Sequence, residues 1–96
     1  WDPVDVESAS LPPCHVLCQF NVVEKEDQKY LECALYQRSA DVALGLPFNI
    51  VSYSLLTHMI AELCGMKARK FVHFIGDAHI YLPHIEGMKE LVNRDV

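Results

Sequence analysis

Hydrophobic and polar positions along the chain predict a β-hairpin in its first half. Apolar, β-branched and aromatic residues interleave with polar ones over residues 15–23, which is typical of a strand. The polar stretch EKEDQK predicts a turn, and the following YLECALYQRS predicts a second strand, paired antiparallel to the first. Along this second strand, one set of alternating residues is Leu31, Cys33 and Leu35, and the other set is Glu32, Ala34 and Tyr36.

The middle of the chain predicts a loop followed by a long helix. ADVALGLPFN contains glycine and proline, and we expect Asn49 to cap the helix that follows. Apolar residues recur at helical spacing through IVSYSLLTHMIAELCG, and Gly65 stands where a C-terminal cap belongs. Because this helix is apolar nearly all round, we expect it to be buried.

The last third predicts a third strand and a closing helix. KFVHFIG reads as a strand that continues into GDAHIYLP, with His79 and Tyr81 on one face. HIEGMKELVNR predicts a helix with one apolar face. Residues 1–13 hold three of the five prolines and predict an extended lead-in without a regular element.

Composition predicts one small globular domain that needs a partner. The chain has 96 residues, 51% of them hydrophobic, and the predicted elements leave more apolar surface than so small a domain covers by itself. A chain that starts on Trp1, without Met, is predicted to come from a longer protein.

Charge narrows the classes of function. A net charge of -5 without a run of Lys or Arg argues against nucleic-acid binding. The acidic start WDPVDVESAS and the lack of a long uncharged apolar stretch argue against a signal peptide and a membrane span, so we expect a cytoplasmic protein.

Four cysteines raise the question of disulfides and metals. Cys14, Cys18, Cys33 and Cys64 stand in strand and helix patterns rather than in a stapled, loop-rich scaffold, so we expect reduced thiols. A C-x3-C pair and scattered histidines do not match zinc-ligand spacing, so no metal is expected.

Cys14 is the first candidate for chemistry. It follows two prolines, whose stiff backbone would aim a nucleophile, although a small buried thiol explains the residue equally simply. The run YQRSAD brings Arg38 and Ser39 together, which suits an anion such as phosphate, although it also suits a solvated strand end. An arginine close to Cys14 would favour its thiolate form.

Polar groups further along the chain could bind a nucleoside. His79 and Tyr81 could bind a sugar hydroxyl, or they could form the polar outer face of an edge strand. The amide of Asn49 offers a donor and an acceptor, as reading a pyrimidine edge requires, although it also suits a helix cap.

The motifs LPPCH, QF, LYQRSAD, LGLPFNI and GDAHIY occur in this order, and together they resemble the thymidylate synthase family. The resemblance runs through essentially all 96 residues. It implies that Cys14 is the nucleophile and that His15, Asp41 and Asn49 are further catalytic residues. The substrate-binding residues that it implies are Gln37, Arg38, Ser39, Asp41, Asn49, His79 and Tyr81, and those on the folate side are Asp41, Leu44, Gly45 and Phe48.

The resemblance also implies a reaction and a fold. The reaction is reductive methylation of dUMP to dTMP, with methylenetetrahydrofolate as cosubstrate and no metal. The fold is α+β, a mixed sheet with packed helices, whose sheet face forms a homodimer. Asn49 favours uracil, because the related deoxycytidylate hydroxymethylases carry Asp at the matching position.

Departures from the family pattern concern single residues and length. The family usually has Tyr at Asn21, Ala at Val51, Met-Ala at residues 9 and 10, and Asn at Pro83. Family chains are longer and contain an arginine loop, an active-site glutamate, arginines from a neighbouring subunit and a closing C-terminal segment. We therefore expect residues 1–96 to be a partial domain that is not competent alone.

Other hypotheses remain open at this point. The chain could be a truncated, non-catalytic homologue that acts as a nucleotide-binding or dimerisation module, or a deoxycytidylate-directed relative. The resemblance does not decide whether the complete protein is fused to dihydrofolate reductase. A generic cysteine hydrolase lacks a base with an orienting partner and an oxyanion-hole motif.

Overall fold

The structure is a computed structural model that describes residues 2–95, so Trp1 lies outside the described residues. Its strands are β1 (His15–Lys25), β2 (Gln28–Asp41) and β3 (Lys67–His79), and its helices are α1 (Gly45–Leu63) and α2 (Ile85–Val92). Two short 3₁₀ turns cover Val6–Ser8 and Leu82–His84.

The predicted hairpin is confirmed. β1 and β2 pair antiparallel, and Lys25 pairs with Gln28 across a two-residue loop. Glu26 and Asp27 form that loop with φ angles of 49° and 60°, the left-handed values that a type I′ turn requires at both positions. This turn matches the right-handed twist of the two strands, so it fixes their register.

The three strands form one mixed sheet in the order β1-β2-β3. β3 pairs parallel to β2, so the chain must cross over between them, and α1 is the crossover. The predicted α+β class with a mixed sheet and packed helices is therefore confirmed.

α1 begins earlier than its sequence pattern predicts. The helix starts at Gly45, so the prediction that Asn49 caps it is wrong. The chain turns into the helix because Oδ1 of Asp41 accepts hydrogen bonds from the backbone N–H groups of Ala43 at 3.1 Å and Leu44 at 3.4 Å. At the other end, Gly65 adopts a φ of 66°, which confirms its predicted role in ending the helix.

Two further predictions need correction. Residues 1–13 contain the 3₁₀ turn Val6–Ser8, whose Ser8 backbone N–H and hydroxyl both bond to the carbonyl of Asp5. β3 ends at His79, so Tyr81 does not belong to that strand.

The core lies between α1 and one face of the sheet. Leu31, Cys33 and Leu35, which form one of the two alternating rows of β2, are 3%, 1% and 0% exposed. α1 itself is not buried all round: Thr57 and Ala61 are its buried residues among those described. The helix covers the sheet with one side and leaves apolar side chains on its other side open.

The molecule is a flat slab. Its extents are 49 × 45 × 19 Å, and its radius of gyration of 16.5 Å exceeds the roughly 12.5 Å of a compact chain of this length. The sheet face opposite α1 is uncovered by the described residues. No helix within residues 2–95 is long and apolar enough to cross a membrane.

Candidate active site

The topology brings the candidate residues to one edge of the sheet. β2 ends at Asp41, antiparallel β1 starts beside that end at His15, and parallel β3 ends there at His79. α1 starts only four residues after β2, so its first turns stand above the same edge. Residues that are distant in the sequence thus share one region of the surface.

Arg38 holds Cys14 and the prolines before it. Its Nε donates to the carbonyl of Pro13 at 3.0 Å, and its Nη2 donates to the carbonyl of Pro12 and approaches the Sγ atom of Cys14 at 3.5 Å. The Arg38 backbone N–H also donates to the Cys14 carbonyl at 2.9 Å. Cys14 is a free, half-buried thiol whose sulfur lies against this guanidinium.

His15 points to the other side of the sheet. Its ring packs edge-on against Tyr53 of α1 with the ring centroids 5.2 Å apart, and burial lowers its pKa. Within residues 2–95 no hydrogen bond joins His15 to Cys14. His15 therefore follows Cys14 in the sequence, but its ring packs against α1 and makes no hydrogen bond to the thiol among the described residues.

A chain of amides connects β2, α1 and β3. Gln37 is 2% exposed, and its Nε2 donates to the Ser39 carbonyl at 2.9 Å and to Oδ1 of Asn49 at 3.0 Å. Its Oε1 lies 2.9 Å from Nε2 of His73. Asn49 thus has its side-chain oxygen bound inside the protein, which leaves its NH₂ group to be a donor to a ligand.

The first turn of α1 forms an apolar wall beside Asp41. Phe48 is 74% exposed and Leu44 is 57% exposed, although both are large and apolar. A side chain at Gly45 would meet the Cβ of Asp41 at 3.5 Å and Oδ1 of Asn49 at 3.8 Å, so this glycine lies between those two residues. The structure therefore groups all four residues that the resemblance assigns to the folate side.

His79 and Tyr81 remain neighbours although the strand ends between them. Their rings pack edge-on with centroids 5.3 Å apart, and Nδ1 of His79 lies 3.7 Å from the carboxylate of Asp77. His79 pairs with Asp41 across β2 and β3. Their imidazole and phenol groups are thus available on the same sheet edge as Asp41.

Two residues that contribute to this region were not singled out from the sequence. A side chain on Gly76 would meet the backbone oxygen of Arg38 at 2.7 Å, so only glycine lets β3 approach β2 at this point. His73 makes the third contact of the Gln37 amide, through Oε1. The sequence held a signal for such a partner, because Gln37 stands in the same row of β2 as Leu35 and a buried amide needs hydrogen-bond partners.

Burial raises the pKa of the Cys33 thiol, and all four cysteines are free. Across the described part of the chain, no three His, Cys, Asp or Glu residues are arranged to hold a metal ion.

A half-buried thiol fixed against a guanidinium, beside amides of fixed orientation, is typical of a nucleophilic active site in an α+β domain. The family model described as thymidylate synthase matches residues 1–96, and the chain therefore belongs to the thymidylate synthase family.

Curated relatives agree with this assignment. Human thymidylate synthase is 56% identical over 95 residues, which are 99% of this chain and 29% of that protein. "Thymidylate synthase 1/2" of Encephalitozoon cuniculi and the thymidylate synthase of equine herpesvirus 2 are each 53% identical over 94 residues, 98% of this chain and 31% of each relative. The chain thus spans less than a third of the length of these relatives.

Proposed function

We propose that residues 1–96 are a partial domain of a thymidylate synthase, which methylates dUMP to dTMP in the cytoplasm with methylenetetrahydrofolate as cosubstrate. Arg38 carries the proposal, because one side chain fixes the loop before Cys14 and also lies 3.5 Å from its sulfur. The relatives, each named a thymidylate synthase, support the same conclusion.

Cys14 begins the proposed chemistry. Its thiolate donates an electron pair to carbon six of the uracil ring, a carbon–sulfur bond forms, and the ring's electrons move to carbon five and oxygen four. Carbon five thereby becomes a nucleophile. The Arg38 guanidinium holds the loop before Cys14, so that the sulfur needs no reorganisation for the attack.

Arg38 and Ser39 are proposed to bind the phosphate of the nucleotide. The hydrogens on Nε and Nη2 of Arg38 are directed to Pro12, Pro13 and Cys14, which leaves the two on Nη1 for an anion. Ser39 adds a hydroxyl one residue along β2. His79 and Tyr81 are proposed to bind the deoxyribose hydroxyl, with their rings held against each other.

Asn49 is proposed to select uracil. Gln37 occupies its Oδ1, so the Asn49 NH₂ group faces the substrate as a donor. A donor complements the carbonyl at position four of uracil and opposes the amino group at position four of cytosine. Gln37 thus acts on the substrate through Asn49.

The folate side fits the chemistry of the residues present. Exposed Leu44 and Phe48 offer an apolar surface to a flat heterocycle, and the carboxylate of Asp41 beside them can accept hydrogen bonds from ring nitrogens. Methylenetetrahydrofolate, when bound, supplies the one-carbon unit and the hydride. The chain's task on this side is to hold the ring next to carbon five of the uracil and to exclude water.

The open sheet face is proposed to form a homodimer. Leu17, Tyr36 and Phe74 are 65%, 48% and 58% exposed on three adjacent strands, and a second copy of the same face would bury them. Arg38 follows Tyr36 on this face, so a partner subunit would stand next to the phosphate.

The test uses the full-length chain that carries this segment. It is incubated with methylenetetrahydrofolate and 5-fluoro-dUMP, whose fluorine cannot leave carbon five as the proton does, so that the covalent adduct persists. Intact-mass spectrometry should show one added nucleotide and one added folate, and peptide analysis should find them on Cys14. Cys14→Ser should abolish both the adduct and dTMP formation.

Cys64→Ser is the matched control, because Cys64 is an exposed thiol at the far end of α1. It should form the adduct like the wild type. A full-length protein that binds dUMP without forming the adduct or dTMP would contradict the proposal and favour a non-catalytic nucleotide-binding module.

A further inference from the structure

We propose that His73, in its neutral form with the proton on Nε2, is a positioning residue that sets the pyrimidine specificity of the site through Gln37 and Asn49. This inference rests on the proposed function, since it concerns the same nucleotide. It begins with the Ser39 carbonyl, which is a backbone oxygen and can only accept a hydrogen bond.

The Ser39 carbonyl determines the orientation of the Gln37 amide. The group that faces it at 2.9 Å must be the amide nitrogen, because two oxygens at that distance would repel each other. Both hydrogens of Nε2 are then used, one on Ser39 and one on Oδ1 of Asn49. Oε1 of Gln37 must therefore face His73.

The orientation of Gln37 in turn determines the tautomer of His73. An amide oxygen 2.9 Å away accepts a hydrogen bond, so Nε2 of His73 must carry the hydrogen. Nδ1 of the same ring is buried without a hydrogen-bond partner among the described residues, where a second proton would be unsatisfied. Burial and the neighbouring His15 lower the pKa of His73, which agrees with a neutral ring.

Packing keeps the imidazole in this place. The His73 ring lies against Phe71 with centroids 5.2 Å apart, and Phe71 stacks on Tyr53 of α1 at 6.1 Å. His73 pairs with Leu35 on β2, two positions from Gln37. The ring cannot swing away without disturbing the core, so its N–H is a fixed donor to Gln37.

The consequence reaches the substrate through two hydrogen bonds. If His73 offers no donor, Oε1 of Gln37 loses its partner and the Ser39 carbonyl alone holds the amide, so the Gln37 side chain is less firmly fixed and its hydrogen bond to Oδ1 of Asn49 weakens. An Asn49 amide without this bond can present either its oxygen or its nitrogen to the base. His73 does not touch the nucleotide, but it keeps the donor of Asn49 directed at position four of the pyrimidine.

The experiment compares three variants of the full-length chain. His73→Phe keeps an aromatic ring and removes the donor, and His73→Gln restores an N–H near the position of Nε2. His58→Phe is the matched control, since His58 is exposed on α1 outside the amide chain. Calorimetry measures the dissociation constants of dUMP and dCMP for each protein.

The wild type should prefer dUMP over dCMP. His73→Phe should reduce this preference by about tenfold, the worth of roughly one hydrogen bond. His73→Gln should restore the preference to within about threefold, and His58→Phe should leave it unchanged. An equal loss of affinity for both nucleotides in His73→Phe, with the preference intact, would mean that His73 only packs, and would overturn the inference.

A second measurement does not depend on the variants folding. In ¹⁵N-histidine NMR spectra of the wild type near pH 7, His73 should be neutral and protonated on Nε2. A neutral ring protonated on Nδ1 would overturn the inference. A wild type that forms no dTMP and shows no preference for dUMP would instead contradict the proposed function, while this spectrum would still report on the tautomer.

Discussion

The two faces of β2 differ sharply although they belong to the same strand. On the face toward α1, Leu35 is fully buried and Gln37 is 2% exposed, whereas Tyr36 between them, on the opposite face, is 48% exposed. The covered face holds the network of Gln37, Asn49 and His73, in which hydrogen-bond partners determine the orientation of each polar side chain. The open face holds Arg38 and, across from it, Cys14, and it still needs a cover. The network proposed to set specificity thus lies on the covered face and the proposed nucleophile on the open one, and the two approach each other at the end of β2.

Leu35→Ala should produce the largest change, because it acts on the covered face. Leu35 has no exposed surface, and its removal leaves a cavity under α1, so the free energy of unfolding should fall by about 2–5 kcal/mol. Urea unfolding of the full-length protein measures this. In the dissociated subunit, where Leu17 of the open face is 65% exposed, Leu17→Ala should lower the free energy of unfolding by under about 1 kcal/mol. Equal losses would mean that the two faces do not differ.

Gly76→Ala tests the close approach of β3 to the backbone of Arg38 on β2. The new Cβ would lie 2.7 Å from the Arg38 carbonyl, so β2 or β3 must shift, and we expect a loss of about 1–3 kcal/mol in unfolding free energy. Denaturant unfolding measures the loss. Gly87→Ala is the control, since nothing lies within 4 Å of that position in α2 and alanine should stabilise the helix by up to about 1 kcal/mol. A neutral Gly76→Ala would show that the strands tolerate the shift.

Phe74→Lys tests the proposed cover of the open face. A lysine at this position would bring like charges together across a two-fold interface, so the dissociation constant of the homodimer should rise at least about tenfold. Sedimentation velocity measures the dissociation constant. Leu63→Lys, at the end of α1, should leave self-association unchanged. A Phe74→Lys protein that dimerises like the wild type would exclude this face as the interface.

The smallest effect concerns pH. Burial lowers the pKa of both His15 and His73 in the folded state. Unfolded histidine has a pKa of about 6.5, so between pH 7.5 and 5.5 the unfolded chain takes up protons that the folded chain does not. The free energy of unfolding should therefore fall as the pH falls. Because the rings are only partly buried, this fall should be the smallest of the effects predicted for the variants and conditions compared.

Urea unfolding at the two pH values checks this slope. The double variant His15→Phe, His73→Phe should show a shallower fall than the wild type, since both titrating rings are gone. An unchanged slope would assign the effect to other groups.

The covered face is also the part of the fold that the sequence predicted best. Alternation separated Leu31, Cys33 and Leu35 from the opposite row of β2, and Gly65 marked the end of α1. These signals are local, because they depend on strand period and backbone conformation. Family motifs supplied the candidate site, whose individual roles remain predictions.

The errors arose where distant residues meet. Asn49 suits a helix cap by residue type, but Asp41 already bonds the N–H groups before the helix, and Gln37 takes the Asn49 amide instead. The apolar pattern of α1 predicted a buried helix, but the structure leaves one side of it open. The pattern of a helix does not show which other elements are present to cover it. His73 was missed because its partner, Gln37, lies on another strand, and a local sequence pattern does not show contacts between strands.

The turn at Glu26 and Asp27 has a consequence for the order of folding. It closes the β1–β2 hairpin over two residues, so this pair can form on the order of 1–10 μs, whereas the pairing of Tyr30 with Lys67 must wait until all of α1 lies between them. On a ribosome the hairpin emerges before α1 and β3, with Leu35 and Gln37 open to water and to other chains. His73 is synthesised last among the members of the amide network, so nascent chains should need protection from aggregation until β3 has left the exit tunnel.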